Sequence, residues 1–97
     1  MNKTEKKVYQ ILKKEGYTIE KAIKTRWHRT DLFGLWDFIA VNEKQIRFIQ
    51  VSAKYLSSRP KEEQQAMRSF PCPAWATKEY WHWKRNEKEP RIEILSR

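Results

Sequence analysis

Two polar residues interrupt two apolar runs in the middle of the chain, and both have side chains that can ligate a metal ion. Asp37 lies within the apolar run 35–41, and Gln50 lies near the end of the run 46–51. Burying a carboxylate without compensation costs on the order of several kcal/mol. Asp37 therefore requires a partner, which is a cation, a set of N–H donors or a metal ion.

The spacing of these runs indicates how the two residues are positioned. The runs are separated by the polar residues 42–44, a pattern that predicts a β-hairpin covered on both faces. Strand alternation places Asp37 beside Ile39 and Gln50 beside Ser52 on the strand faces. Both polar side chains are thus expected to point towards packed layers.

The rest of the chain predicts the elements around this hairpin. They are a helix capped by Thr4 and ended by Gly16, a strand over 17–27, a helix beginning within 58–63, a strand within 73–85, and an edge strand over 90–95. The order is helix, three strands, helix, two strands. We therefore predict one α/β (α+β) domain over residues 1–97, with a mixed central sheet flanked by helices.

The hairpin resembles the motif region of the PD-(D/E)XK nuclease superfamily and is most similar to small archaeal and phage Holliday-junction resolvase-like proteins. The resemblance assigns Asp37 to the first metal-binding aspartate. Gln50 stands where the family has Asp or Glu, and Ser52 where it has the catalytic lysine. The predicted αβββαββ order is the restriction-endonuclease-like core, so the resemblance covers most of the chain, although its motifs cover only 34–52. It implies a metal-dependent nucleic-acid phosphodiester hydrolase, expected to be a DNA endonuclease that is structure-specific or resolves Holliday junctions.

The same resemblance implies a Mg²⁺ or Mn²⁺ site built from oxygen ligands. The expected ligands are Asp37, the amide of Gln50 and the backbone carbonyl of Val51, with Asp31 and Glu5 as further candidates. Asp31 has an alternative role in a turn, and Glu5 has one as a favourable charge in the first helical turn. Because Gln50 gives a neutral amide oxygen where the family has an acid, the site has fewer negative ligands, and we expect a low-affinity site that Mn²⁺ fills better than Mg²⁺.

The expected catalytic set is Asp37, Gln50, Ser52 and Lys54. Lys54 is included because it is the lysine nearest to the position that Ser52 occupies. A phosphate contact or a solvated side chain is the alternative for Lys54.

The charge predicts a polyanionic partner. The chain has 21 Lys and Arg against 12 Asp and Glu, a net charge of +9, and residues 1–30 hold nine basic and three acidic side chains. Nucleic acid, with DNA as the expected form, fits this charge; the alternative is a basic surface that only keeps the protein in solution. The expected nucleic-acid contacts are Lys24, Arg26, His28, Arg29, Lys54 and Arg59. For His28, a surface imidazole in a loop is the alternative.

Two other functions remain open. The first is a catalytically inactive nucleic-acid-binding module on the same fold. The second is an interaction subunit whose aromatic strand docks a partner protein; Trp75, Trp81 and Trp83 share one face of that strand, where we expect packing rather than base stacking. A homodimer is implied by analogy with the resolvase-like proteins.

Several classes of protein are disfavoured. Cys72 is the sole cysteine, which excludes an intrachain disulfide and a cysteine-based zinc cluster. The chain has no phosphate-binding glycine loop and no Ser/His/Asp arrangement. It has neither a signal-peptide pattern nor an apolar run of membrane-spanning length, so we expect a cytoplasmic protein without membrane contact.

Overall fold

The computed structural model describes residues 1–23, 30–84 and 86–95. Within these residues the protein is an α+β fold, in which a five-stranded mixed sheet packs against two α-helices. The elements in chain order are α1 (Lys3–Lys14), β1 (Thr18–Lys21), β2 (Phe38–Val41), β3 (Ile46–Ser52), a 3₁₀ turn (Leu56–Ser58), α2 (Lys61–Ser69), β4 (Ala76–His82) and β5 (Arg91–Ile94). The predicted α+β class with a mixed sheet is confirmed.

The strands lie in the order β1-β2-β3-β4-β5. All neighbouring pairs are antiparallel except β3 and β4, which are parallel and are connected through α2. This pattern brings the last residue of β3, Ser52, beside the last residue of β4, His82. The last residue of β1 and the first residues of β2 and β5 lie on the same side of the sheet as Ser52. We call this side, where these strands begin or end, the Ser52 end, and the opposite side the hairpin end.

The helices cover opposite faces of the sheet because neighbouring strand residues point in opposite directions. On β3, Ile49 packs in a core with Val8 and Leu12 of α1, whereas Phe48 packs in a second core with Met67 of α2. The other buried members are Phe38, Ala40 and Trp81 in the first core and Trp36, Leu56, Tyr80 and Leu95 in the second. Fully burying one such side chain contributes about 1.5–3 kcal/mol.

Helix α1 begins earlier than predicted. Its N-cap is Asn2, whose side chain accepts a hydrogen bond from the Glu5 N–H (2.8 Å), while the Asn2 N–H donates to the Glu5 carboxylate (3.0 Å). This reciprocal capping box requires an acid three residues after the cap, and Asn2 has that spacing. The prediction that Thr4 caps the helix is wrong, because Thr4 lies inside the first turn.

Strand β2 begins at Phe38 rather than at the start of the apolar run. Leu32 and Trp36 form an isolated bridge around a tight turn, in which Phe33 and Gly34 have positive φ angles of 56° and 71°. The chain thus turns sharply at Phe33 and Gly34 before the strand begins. As a result, Asp37 directly precedes β2 instead of lying within it.

The strand predicted over 17–27 is shorter in the structure, where β1 ends at Lys21 and residues 24–29 lie outside the described part. The tryptophan prediction is confirmed in part. Trp81 is buried in the first core and Trp83 packs against it, whereas Trp75 precedes β4 and is 58% exposed.

Candidate functional site

The sheet topology gathers several predicted site residues at the Ser52 end. Asp37 lies just before β2. Gln50 and Ser52 are among the last three residues of β3, and Lys54 follows Ser52 by two residues. At the Ser52 end, β2 begins and the parallel strands β3 and β4 end. Residues that are far apart in the sequence therefore become neighbours there.

Asp37 is buried and is held by the neighbouring strand. Its Oδ2 accepts a hydrogen bond from the Val51 N–H (2.8 Å), and its own N–H donates to the Ile49 carbonyl (2.8 Å). A backbone donor thus supplies part of the compensation that the buried carboxylate requires. Asp37 also lines a cavity of about 250 Å³, the Asp37 cavity. The other lining residues are Met1, Glu5, Lys21, Ala22, Ile23 and Phe38.

Gln50 is also buried, but its amide oxygen Oε1 has no hydrogen-bond partner among the described residues. Leaving a buried acceptor unpaired costs about 1–3 kcal/mol. The side chain lines a second, smaller cavity of about 90 Å³, the Gln50 cavity. The other lining residues are Asp31, Gly34, Leu35, Arg59, Glu63 and Met67. Gln50 thus lines a cavity together with two acidic residues and an arginine.

Arg59 connects the Gln50 cavity to the end of β3. Its Nε donates to Glu63 Oε2 (2.8 Å), its Nη2 lies 2.8 Å from the same oxygen in an ion pair, and its Nη1 lies 3.4 Å from Ser52 Oγ. The Ser52 hydroxyl also accepts the Lys54 N–H (3.1 Å). Glu63 was predicted only as part of a helix start; its spacing of four residues from Arg59 is the signal that could have identified the pair.

The five expected metal ligands do not share one cavity. Glu5 and Asp37 line the Asp37 cavity, Asp31 and Gln50 line the Gln50 cavity, and Val51 contacts Asp37 through its N–H. Glu5 also completes the capping box of α1, which is the structural role considered above. That these five residues form one metal site therefore stays a prediction.

Across residues 1–23, 30–84 and 86–95, no group of three or more His, Cys, Asp or Glu side chains could hold a metal ion. Each cavity instead offers two carboxylates, and the Gln50 cavity adds an amide oxygen. Mg²⁺ is commonly bound by one or two carboxylates together with water and substrate phosphates. The donors in the Gln50 cavity fit such a cation, which the substrate would help to hold.

Two aromatic residues at the Ser52 end were not predicted as site residues. His82 is 3% exposed and packs against the Tyr55 and Tyr80 rings, with centroid distances of 5.1 and 5.9 Å. The Tyr80 hydroxyl donates to the Lys54 carbonyl (2.8 Å). Only the β3–β4 register brings His82 next to Ser52, and no local sequence pattern reveals that register.

A larger depression of about 490 Å³ beside Cys72 and Lys78 is a poorer candidate. The Lys78 ammonium donates to the carbonyls of Arg68 and Phe70, so it caps the C-terminal end of α2. Burial lowers the pKa of Lys78. Its polar group is thus already used in holding the helix.

Four predicted nucleic-acid contacts, Lys24, Arg26, His28 and Arg29, lie outside the described residues. No helix in the described part of the chain is long and apolar enough to cross a membrane. No protein-family model, curated protein or solved structure matches this chain.

Proposed function

We propose that this protein is a metal-dependent nucleic-acid phosphodiester hydrolase of the PD-(D/E)XK kind that acts on DNA. The observation that carries the proposal is the buried Gln50, whose Oε1 lacks a hydrogen-bond partner among the described residues and which is a lining residue of the same cavity as Asp31. Gln50 is the residue that the family resemblance assigns to a metal ligand. The αβββαββ order of elements supports the same proposal.

The residues at the Ser52 end suit this reaction. Asp31 and the Gln50 amide supply oxygen donors for a divalent cation in the Gln50 cavity, where Glu63 pairs with Arg59. Asp37, the first ligand that the resemblance assigns, is fixed on Val51, next to Gln50 in sequence. When bound, such a cation would polarise a phosphoryl oxygen and lower the pKa of a water molecule.

Arg59 is a cation that contacts Ser52, which occupies the position of the family's lysine. Its guanidinium lies 3.4 Å from Ser52 Oγ, and Glu63 orients it through a hydrogen bond from Nε and an ion pair with Nη2. A fixed guanidinium can pair with phosphate oxygens and stabilise negative charge that develops on them. We therefore assign to Arg59 the charge-stabilising role that Ser52 cannot perform.

The test is cleavage of labelled four-way, flap, single-stranded and duplex DNA in Mn²⁺, Mg²⁺ or EDTA. Asp37→Asn is the informative variant, because an asparagine oxygen can still accept the Val51 N–H while the charge is lost. We expect metal-dependent cleavage that falls at least about a hundredfold in Asp37→Asn, the scale of losing one electrostatic contribution to the transition state. Glu43→Gln in the β2–β3 connection is the matched control and should leave cleavage unchanged.

Two further variants examine the departures from the family pattern. Gln50→Glu restores an acid, so it should retain or increase cleavage and tighten metal binding measured by calorimetry. Arg59→Ala should lower cleavage without abolishing metal binding. Calorimetric metal binding that is unchanged in both Asp37→Asn and Gln50→Ala would contradict the assigned ligands.

A catalytically inactive nucleic-acid-binding module is the second candidate. The observation that favours it is the Arg59–Glu63 ion pair, which already uses one of the two carboxylates of the Gln50 cavity. Binding of DNA in EDTA, with no cleavage in either metal and no gain in Gln50→Glu, would select this candidate over the hydrolase.

A further inference from the structure

An exposed aromatic ring lies at the Ser52 end, outside both cavities. Tyr55 is 46% exposed, although the next residue, Leu56, is buried in the second core. We call the surface formed by Tyr55, His82, Lys54 and Lys84 the Tyr55 platform. The proposed hydrolysis assigns no role to its aromatic rings.

The platform stands on a fixed base. The Tyr55 ring meets the His82 imidazole edge to face, at 5.1 Å and 62°, and His82 is itself buried against Tyr80. The hydrogen bond from the Tyr80 hydroxyl to the Lys54 carbonyl holds the adjoining backbone. Because the ring is held before any ligand arrives, little conformational entropy is lost on binding.

Positive charge surrounds the ring. The Lys84 Nζ lies 5.9 Å from the Tyr55 ring centroid, and exposed Lys54 is adjacent in the chain. The whole chain has a net charge of +9. Aromatic faces combined with cations are the means by which proteins bind single-stranded nucleic acids, since bases stack on the rings while lysines pair with phosphates.

The exposed Tyr55 ring favours unpaired over base-paired nucleic acid as its ligand. Bases inside a duplex are stacked on their neighbours, whereas unpaired nucleotides can turn a base face towards an aromatic side chain. The platform also adjoins the candidate site, because the Ser52 hydroxyl contacts both the Lys54 N–H and the Arg59 guanidinium. A nucleotide stacked on Tyr55 would therefore lie next to the groups that face the scissile phosphate.

We propose that the Tyr55 platform binds unpaired nucleotides, so that a single-stranded segment is the part of the substrate that this protein recognises. The inference rests on the proposed function, because it takes nucleic acid as the ligand. It extends that function by specifying that the recognised part of the substrate is single-stranded.

Fluorescence anisotropy in EDTA tests the inference without cleavage, using a labelled oligothymidine strand and a blunt duplex of equal length at low salt. The variants are Tyr55→Ala, Tyr55→Phe and Trp75→Ala. Trp75 is a matched control because it is similarly exposed but precedes the opposite end of β4, about 20 Å from His82 along the strand. Circular dichroism confirms that each variant is folded.

We expect Tyr55→Ala to weaken single-strand binding about tenfold, the scale of one base stacked on an aromatic ring, with less than about a twofold effect on the duplex. Tyr55→Phe and Trp75→Ala should bind as the wild type does. Equal effects of Tyr55→Ala on the two ligands, or no effect on either, would overturn the platform while leaving the proposed function intact. If the wild type binds neither ligand, the proposed function fails and this inference fails with it.

Discussion

Two buried polar side chains, Glu79 and Gln50, differ in what surrounds them. Glu79 is 2% exposed, and both of its oxygens are hydrogen-bonded: Arg47 donates two bonds of 2.8 and 2.9 Å, and Thr77 and Trp81 donate one each. Gln50 Oε1 has no such donor among the described residues. Glu79 thus meets the ordinary requirement for a buried charge, whereas the described residues leave both Gln50 Oε1 and the Trp36 indole N–H without a hydrogen-bond partner.

The hydrogen bonds to Glu79 also determine its ionisation. Burial raises the pKa of this carboxyl, but the bonds from Arg47, Thr77 and Trp81 and the charge of Arg47 outweigh that effect, so the pKa lies below its ordinary value of 4.5. An acid whose pKa is lower in the folded state than in the unfolded state stabilises the fold above the unfolded value. That stabilisation is lost as the pH falls below about 4.5 and through the folded-state pKa.

We predict that Glu79→Gln lowers the free energy of unfolding by about 3 kcal/mol at pH 7, because Arg47, whose side chain is 12% exposed, loses its buried counter-charge and keeps only the exposed Glu15 carboxylate at 3.5 Å. The loss of stability below pH 4.5 should also become less steep than in the wild type. Urea denaturation between pH 3 and 7 measures both effects. Glu87→Gln, which removes an exposed pair with Arg91, is the control and should cost less than about 1 kcal/mol. A similar loss in both variants would argue against an important buried pair.

Two residues near the beginning of α1, Asn2 and Thr4, are of types that can cap a helix, and the structure has Asn2 as the cap. The capping box joins Asn2 to Glu5, and Glu5 lines the Asp37 cavity, so the cap also positions a side chain at the candidate site. Thr4 is also of a type that caps helices, but it lies within the first turn of α1 and does not form the capping box.

We predict that Asn2→Ala lowers the free energy of unfolding by about 1 kcal/mol, the usual cost of losing an N-cap. Asn2→Asp should retain the stability because aspartate accepts the same hydrogen bond. Thr4→Ala should change it by less than about 0.5 kcal/mol. Chemical denaturation compares the three variants, and a larger effect at Thr4 than at Asn2 would place the cap where the sequence prediction put it.

The elements that the sequence predicts well are those whose pattern is local. Helix α1 shows apolar residues at helical spacing, β3 extends one residue beyond the run 46–51, and β5 lies within 90–95, so their positions follow from periodicity. The beginning of β2 was misplaced because Trp36 is apolar like a strand residue but bridges back to Leu32. Periodicity does not distinguish a buried turn from a buried strand.

The candidate site was only partly predictable for a related reason. The hairpin pattern was sufficient to single out Asp37 and Gln50, since a polar residue inside an apolar run is visible in the sequence. The separation of Glu5 from Asp31 into two cavities depends on which helix covers which face of the sheet. Likewise, His82 is 30 residues from Ser52 and becomes its neighbour only through the parallel β3–β4 pairing.

At the scale of the whole molecule, the net charge of +9 can act in two ways. A diffuse positive field attracts any polyanion and depends only on the total charge. A localised interface depends on where the lysines lie. Lys7 and Lys84 lie over the Trp83 and Tyr55 rings near the Ser52 end, whereas Lys44 lies in the connection at the hairpin end.

Two double variants with the same net charge separate these alternatives. Lys7→Gln with Lys84→Gln, and Lys13→Gln with Lys44→Gln, each lower the charge from +9 to +7. Lys13 is suitable for the second pair because it lies in the last turn of α1, before Gly16, which lines a cavity with Lys44. The measurement is the affinity for single-stranded DNA in EDTA at a series of salt concentrations.

Each phosphate contact contributes about 0.7 to the slope of log affinity against log salt for a single strand. If the interface lies at the Ser52 end, the Lys7 and Lys84 variant should reduce the slope by about 1.4, whereas the Lys13 and Lys44 variant should change it by less than about half of that. Equal reductions in both variants would indicate a diffuse field without a localised interface. A slope near zero in the wild type would exclude nucleic-acid binding through phosphate contacts and favour a protein partner, since such binding must release counterions.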